Sequence, residues 1–122
     1  MDVEFDSNIP IYMQIIDIVK RKIVKEELKP GDKLLSVREM SSKLKVNPNT
    51  IQRAYQELER NDIAYKQRGT GTFIKEDISM VEKLKEEMAQ NIIYSFIIGM
   101  KELGFSSDEI IKIVEEKVQG GK

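Results

Sequence analysis

The chain has 122 residues, with 20 lysines and arginines against 21 acids, and contains neither cysteine nor histidine. That length suits one domain, or a small domain with an appendage. The missing thiols and imidazoles exclude a disulfide framework, a thiolate nucleophile and the usual zinc ligand set. A net charge of −1 is not that of a bulk nucleic-acid binder, so the placement of charge decides more than its sum.

Residues Met1–Ile9 are predicted to form an extended arm; the segment is acidic and has no apolar core of the signal-peptide kind. Pro10 opens a first helix, in which Ile11, Ile15, Val19 and Ile23 recur at intervals of four, with Tyr12, Ile16 and Ile18 beside them. Lys20, Arg21, Lys22 and Lys25 lie toward its C-terminal end, where cations complement the helix dipole. A solvated face is the simpler reading of that cluster; contact with a DNA backbone is the alternative. Leu28–Asp32 reads as a turn, Pro30 presetting one backbone angle and Gly31 permitting a positive one. Lys33-Leu34-Leu35 then predicts a very short strand.

The stretch Ser36–Arg60 organises the rest. Ser36 followed by Glu39 is a capping box, in which the hydroxyl takes the Glu39 amide and the carboxylate reaches back. Val37, Met40 and Leu44 follow at helical spacing. A second start comes at once, with Asn47 as cap and Pro48 in the first turn, where a missing N–H is harmless. Ile51, Ala54, Tyr55 and Leu58 are the expected buried face of that helix. Asn49, Thr50, Gln52, Arg53 and Gln56 are left on the outer face, as side chains able to meet base edges, with Arg53 also able to meet phosphate.

After Arg60 the apolar period shifts toward two. Ile63–Lys66 and Thr72–Lys75 read as paired strands around Gln67–Gly71, with Arg68 at the tip. Gly69-Thr70-Gly71 lacks the ending of a phosphate loop and no helix follows it directly. A basic hairpin directly after a helix pair looks instead like a wing, whose arginine can enter a minor groove. From Lys33 to Lys75 nine bases face four acids, a net of +5; from Asp77 onward six lysines face nine acids, a net of −3.

Asp77–Gly99 predicts a long helix with Val81, Leu84, Met88, Ile92, Phe96 and Met100 running down it. Its second half is apolar nearly all round, which implies burial on more than one side. That apolar run falls far short of the ~20 residues needed to span a bilayer. Gly104 ends the region, Ser106 and Glu109 form another capping box, and a last short helix follows before Gly120-Gly121 frays. Two helices of one chain bury little, so the tail implies a homodimer through Asp77–Val118. The alternative is that the apolar face folds back onto the same chain's first helix.

Three segments, PIYMQIIDIVKRKI, LKPGDKLLSVREMSSKLKVNPNTIQRAYQELE and QRGTGTFI, occur in an order that closely resembles the N-terminal domain of GntR-family bacterial transcription regulators. The resemblance spans about Ile9–Lys75, and the short two-helix tail is similar to that of the YtrA-like subfamily. It implies a mostly α fold with a small β-hairpin: a winged helix–turn–helix DNA-binding domain over 1–76, then a helical dimerisation tail over 77–122. It further implies repression by a homodimer on an inverted-repeat operator. By position, Ser36 and Arg38 would contact backbone and base, Asn49, Thr50, Gln52 and Arg53 would enter the major groove, and Arg68 with Gly69 would form the wing tip. Leu35 stands where the family usually has proline, Pro48 where some relatives place an arginine contact, and Asp62 where a glycine is usual after the recognition helix. The expected partners are double-stranded DNA and a second copy of the chain, in the cytoplasm and not at a membrane. No catalytic residue, metal ligand or cofactor is expected, and any small-molecule effector is left open. A winged helix used for protein–protein contact, without DNA binding, is the competing reading.

Overall fold

In the computed structural model, which describes residues 3–120, the chain runs through five helices and one hairpin. These are α1 (Ile11–Val24), α2 (Val37–Leu44), α3 (Pro48–Arg60), β1 (Ala64–Gln67), β2 (Gly71–Ile74), α4 (Ile78–Glu102) and α5 (Ser107–Gln119). The chain divides into two compact units, Met1–Leu84 and Lys85–Lys122, with the division inside α4.

In the first unit, α1 presents Ile15, Val19 and Ile23 to the core, α2 adds Met40 and Leu44, and α3 adds Ile51, Ala54, Tyr55 and Leu58. Leu34, Ile63, Ala64, Ile74 and Leu84 complete it, and no polar or charged side chain among the described residues is buried with them. The four-residue spacing of α1 is thus realised, except that Ile11, in the first turn, stays 39% exposed.

The hairpin is antiparallel, with Ala64 opposite Ile74, Tyr65 opposite Phe73, Lys66 opposite Thr72 and Gln67 opposite Gly71. Its strands lie one residue from the expected bounds: β1 takes in Gln67 and β2 begins at Gly71, because the turn needs only Arg68-Gly69-Thr70. The short strand expected at Lys33–Leu35 reduces to a single bridge between Lys33 and Phe73. Around it the Gly31 and Leu34 amides donate to Ile74 and Thr72, and the Ile74 amide donates to Asp32. The segment cannot run further as a strand, because Ser36 is already the cap of α2.

The arm differs from expectation too. It turns at Asp6–Ile9, where the Ile9 amide donates to the Asp6 carbonyl. Gln14 clamps the turn, accepting from the Asp6 amide at 2.8 Å and donating to the Asp6 and Ile9 carbonyls at 2.7 and 2.8 Å. A glutamine one turn into α1 thereby satisfies backbone groups that an extended arm would leave to water. Met1 and Asp2 lie outside the described residues, as does Gly121 of the expected frayed end.

Four helix ends share one device, a six-residue backbone bond across a residue with positive φ. Glu27 donates to Lys22, Val46 to Ser41, Ile63 to Leu58 and Phe105 to Met100. The residue carrying the positive φ is Gly104 after α4, but Glu26 (66°), Lys45 (56°) and Asp62 (58°) after α1, α2 and α3. Non-glycine residues sit there at a backbone cost. At its start, α4 uses Asp77, whose carboxylate accepts from the Ser79 amide at 3.0 Å and from the Ser79 hydroxyl; these bonds hold the Asp77 carboxyl below its usual range. Gly99 does not end α4, which continues to Glu102.

In the second unit the Ser106–Glu109 capping box is formed in both directions. Ile110 is buried, but the expected burial of the apolar half of α4 is absent from the single chain. Ile92 is 60% exposed, Tyr94 68% and Phe96 41%.

Replacing Asp62 by glycine should stabilise the first unit by about 1 kcal/mol, because the strained backbone after α3 is relieved. An acid is also removed from the negative end of a helix dipole. A rise in the urea midpoint with an unchanged slope is the expected result.

Candidate nucleic-acid interface

Helix α3 is anchored on one side and free on the other. The Asn47 carboxamide oxygen accepts from the Asn49 amide at 2.8 Å and Pro48 takes the first helical position, so the start of the helix is fixed. Ile51, Ala54 and Leu58 are fully sealed and Tyr55 nearly so. The Tyr55 hydroxyl donates to the Leu35 carbonyl at 2.7 Å, and burial pushes its pKa up, which keeps the proton needed for that bond. Leu35 directly precedes the cap of α2. There the Ser36 hydroxyl accepts from the Glu39 amide at 3.0 Å, and the Ser36 amide donates to the Glu39 carboxylate at 2.9 Å. The Ser36 amide, and after it the Ser36 hydroxyl, hold the Glu39 carboxyl below its usual range, so the stabilisation that the carboxylate gains from them is present above that range and lost as the pH falls through the lowered value. The two helices therefore share one set of supports.

The opposite face of α3 is polar and open. Asn49, Gln52, Arg53 and Gln56 line one open groove of about 550 Å³ together with Glu57 and Arg60. Thr50 is half-buried and is not part of that lining. Arg60 is paired with Glu57 at 3.0 Å. The Arg53 guanidinium lies over the Tyr12 ring of α1, its central carbon 3.8 Å from the ring centroid. Ser36 and Arg38 are exposed at the start of α2 but lie outside this lining, and the Ser36 hydroxyl already serves as a cap.

Arg68 and Gly69 are exposed at the hairpin tip. The Thr70 amide donates to the Gln67 carbonyl at 3.0 Å, and Gly69, the third residue of that turn, holds φ +78°, an angle that glycine adopts without a Cβ penalty. Gly71 is constrained differently: at φ +140°, an added Cβ would stand 2.7 Å from the Lys33 side chain, which crosses over it. Tyr65 and Phe73 stack across the strands with centroids 5.6 Å apart, which stiffens the hairpin.

The groove thus unites four of the nine residues singled out from the sequence. Its rim adds two that sequence reasoning left out, the ion-paired Glu57 and Arg60, and outside the lining Tyr12 serves as the seat of Arg53. Tyr12 stood in the sequence as one more residue beside the apolar face of the first helix. Nothing in the local spacing links it to a side chain 41 positions away.

A capped helix pair followed by a hairpin is one fold among regulators, and comparison with known proteins decides which. The family model "Bacterial regulatory proteins, gntR family" matches residues 11–74. The chain belongs to the GntR family. It is 46% identical to the HTH-type transcriptional regulator YhcF of Bacillus subtilis (strain 168) over 121 residues, covering 99% of this chain and all of that protein. It is 43% identical to the HTH-type transcriptional repressor YtrA of the same organism, covering 95% of this chain and 92% of that protein. The solved structure of a GntR family transcriptional regulator from Listeria monocytogenes superposes with a TM-score of 0.85 at 46% identity, covering 92% of this chain and 98% of that one. GntR proteins of this kind are transcription regulators, not enzymes. No helix among the described residues is long and apolar enough to cross a membrane.

Of the three departures named for the family resemblance, two have a local answer. Pro48 occupies the first position of α3, where it carries no side-chain donor. Asp62 takes the left-handed backbone that glycine usually supplies. Nothing in the structure explains Leu35, because the backbone carbonyl that accepts from the Tyr55 hydroxyl would be present on a proline too.

Removing that hydroxyl with Tyr55→Phe should destabilise the fold by about 1 kcal/mol. Urea unfolding at neutral pH checks it, with the far-UV CD of the folded state unchanged.

Proposed function

We propose that this chain is a repressor that acts as a homodimer on an inverted-repeat operator in the cytoplasm. The observation that carries the reading is the open polar face of α3, backed by a sealed apolar face and set in the stretch of net charge +5. Amide side chains such as Asn49, Gln52 and Gln56 discriminate base edges in a major groove, and an arginine meets guanine or phosphate. In this reading α3 enters the major groove with Asn49, Thr50, Gln52, Arg53 and Gln56. Ser36 and Arg38 hold the neighbouring backbone, and Arg68 and Gly69 of the wing approach the minor groove.

The dimer rests on what the second unit lacks. Lys85–Lys122 is shorter than the ~40 residues below which a unit usually needs a disulfide, a metal or a partner. The chain has no cysteine. Among the described residues of that unit only Ile110 is buried, while Ile92, Ile93, Tyr94, Phe96, Ile97, Ile98, Leu103 and Ile111 are exposed. An apolar surface of that extent marks an interaction site, and an identical tail supplies the matching surface. Met88, Ile92, Phe96 and Met100 form the seam, with Val81 and Leu84 near its start; Leu84 is already buried within the first unit. Two reading helices then meet half-sites about 34 Å apart, one turn of the duplex.

Duplexes selected from a randomised pool give the operator. On such a duplex, Arg38→Ala and Arg53→Ala should each weaken binding by about tenfold or more with the CD spectrum unchanged; unaltered gel-shift affinity for both would refute the assignment. Separately, Phe96→Glu should turn a sedimenting dimer into a monomer. A monomeric wild type at tens of micromolar would rule out the pairing.

A further inference from the structure

The geometry points to Tyr12 as the residue that presets Arg53 for the operator. This rests on the reading of α3 as the DNA-contacting helix and goes beyond it, since Tyr12 lies on α1 and is not among the residues expected to touch DNA. A guanidinium offers two different surfaces, a π-face and a planar fork of five N–H donors in its edge. Here the guanidinium carbon sits over the phenol ring, 3.8 Å from its centroid, a distance that suits contact through the face. The edge is unoccupied: among the described residues no carboxylate pairs with Arg53, and none of its N–H groups donates to a protein acceptor. The carboxylate one turn further along, Glu57, is engaged by Arg60 instead. The cation is therefore held by contacts that leave its hydrogen-bonding capacity intact, beside Asn49, Gln52 and Gln56.

Such an arrangement matters because a free arginine loses rotamer freedom when it docks. A side chain already stacked on a ring that α1 holds in place has given up much of that freedom before the duplex arrives, which is the general advantage of preorganisation. The same ring limits where the fork can point, so it contributes to the register of the contact with a guanine or a phosphate. Tyr12 is a positioning residue in this scheme; it acts through Arg53 and needs no contact with DNA. Tyr12→Phe should retain the effect, since the stack uses the ring and not the hydroxyl.

The test is a double-mutant cycle on a duplex recovered from a randomised pool, read by fluorescence anisotropy. Tyr12→Leu should weaken binding about three- to fivefold, the range of an exposed cation–π contact. In the Arg53→Ala background the same substitution should change nothing further. The salt dependence separates positioning from charge: Tyr12→Leu should leave the slope of log affinity against log salt as in wild type, whereas Arg53→Ala should reduce it by about one. In the free protein, the Arg53 Nε–H resonance should be shifted upfield by the ring and return toward the random-coil position in Tyr12→Leu. An equal loss in both backgrounds, or an Arg53 resonance indifferent to Tyr12, overturns the inference while leaving DNA binding standing. A wild type that binds no duplex from the pool overturns the functional reading and this inference with it. If Tyr12→Leu does not fold by CD, Tyr12→Met takes its place in the cycle with the same outcomes.

Discussion

Ile51, Ala54, Tyr55 and Leu58 are sealed along one side of α3, against a core to which α1 contributes Ile15, Val19 and Ile23. A row of side chains at helical spacing cannot be buried without fixing the rotation of its helix about its own axis. Burial therefore determines which residues face outward, and the outward set is Asn49, Gln52, Arg53 and Gln56. The polar face is aimed by the apolar one. The Tyr55 bond to Leu35 adds a restraint along the axis, tying the middle of α3 to the entry of α2.

Secondary elements are built around that constraint with local chemistry of uneven quality. Helix starts are well made: Ser36 and Ser106 carry complete capping boxes, and Asn47 and Asp77 accept from the amides that follow them. Three of the helix ends are not, since Glu26, Lys45 and Asp62 sit where glycine fits best. Each such residue uses up a little stability. Asp62 lies between α3 and the hairpin, so its strained turn leads from one directly into the other.

Much of this was legible in the residues. The capping boxes, the two faces of α3 and the hairpin with Arg68 at its tip follow from short-range rules that need no partner. The misreadings arise where a distant group decides. The strands slid by one residue because the turn closed on three residues rather than five. The Asp6–Ile9 turn depends on Gln14, whose side chain reaches back to backbone groups that no periodicity reveals. The apolar half of α4 was expected to be covered, and in the single chain it is open. The pattern marks a surface in need of burial without saying which molecule supplies the cover. Tyr12 and Arg53 belong to the same class, a contact made by tertiary packing between residues far apart in the chain.

The near absence of a core in the second unit bears on how such a regulator responds to its own abundance. If the tail pairs as proposed, assembly is second order in chain concentration. A small change in synthesis or turnover then alters the paired fraction more than proportionally while that fraction is low. In the single chain Ile92, Phe96 and their neighbours stand open, so in that scheme an unmated chain carries an apolar surface that its pair would cover. In the proposed pair dosage would become an input in its own right, sharpened by the chemistry of one apolar helix.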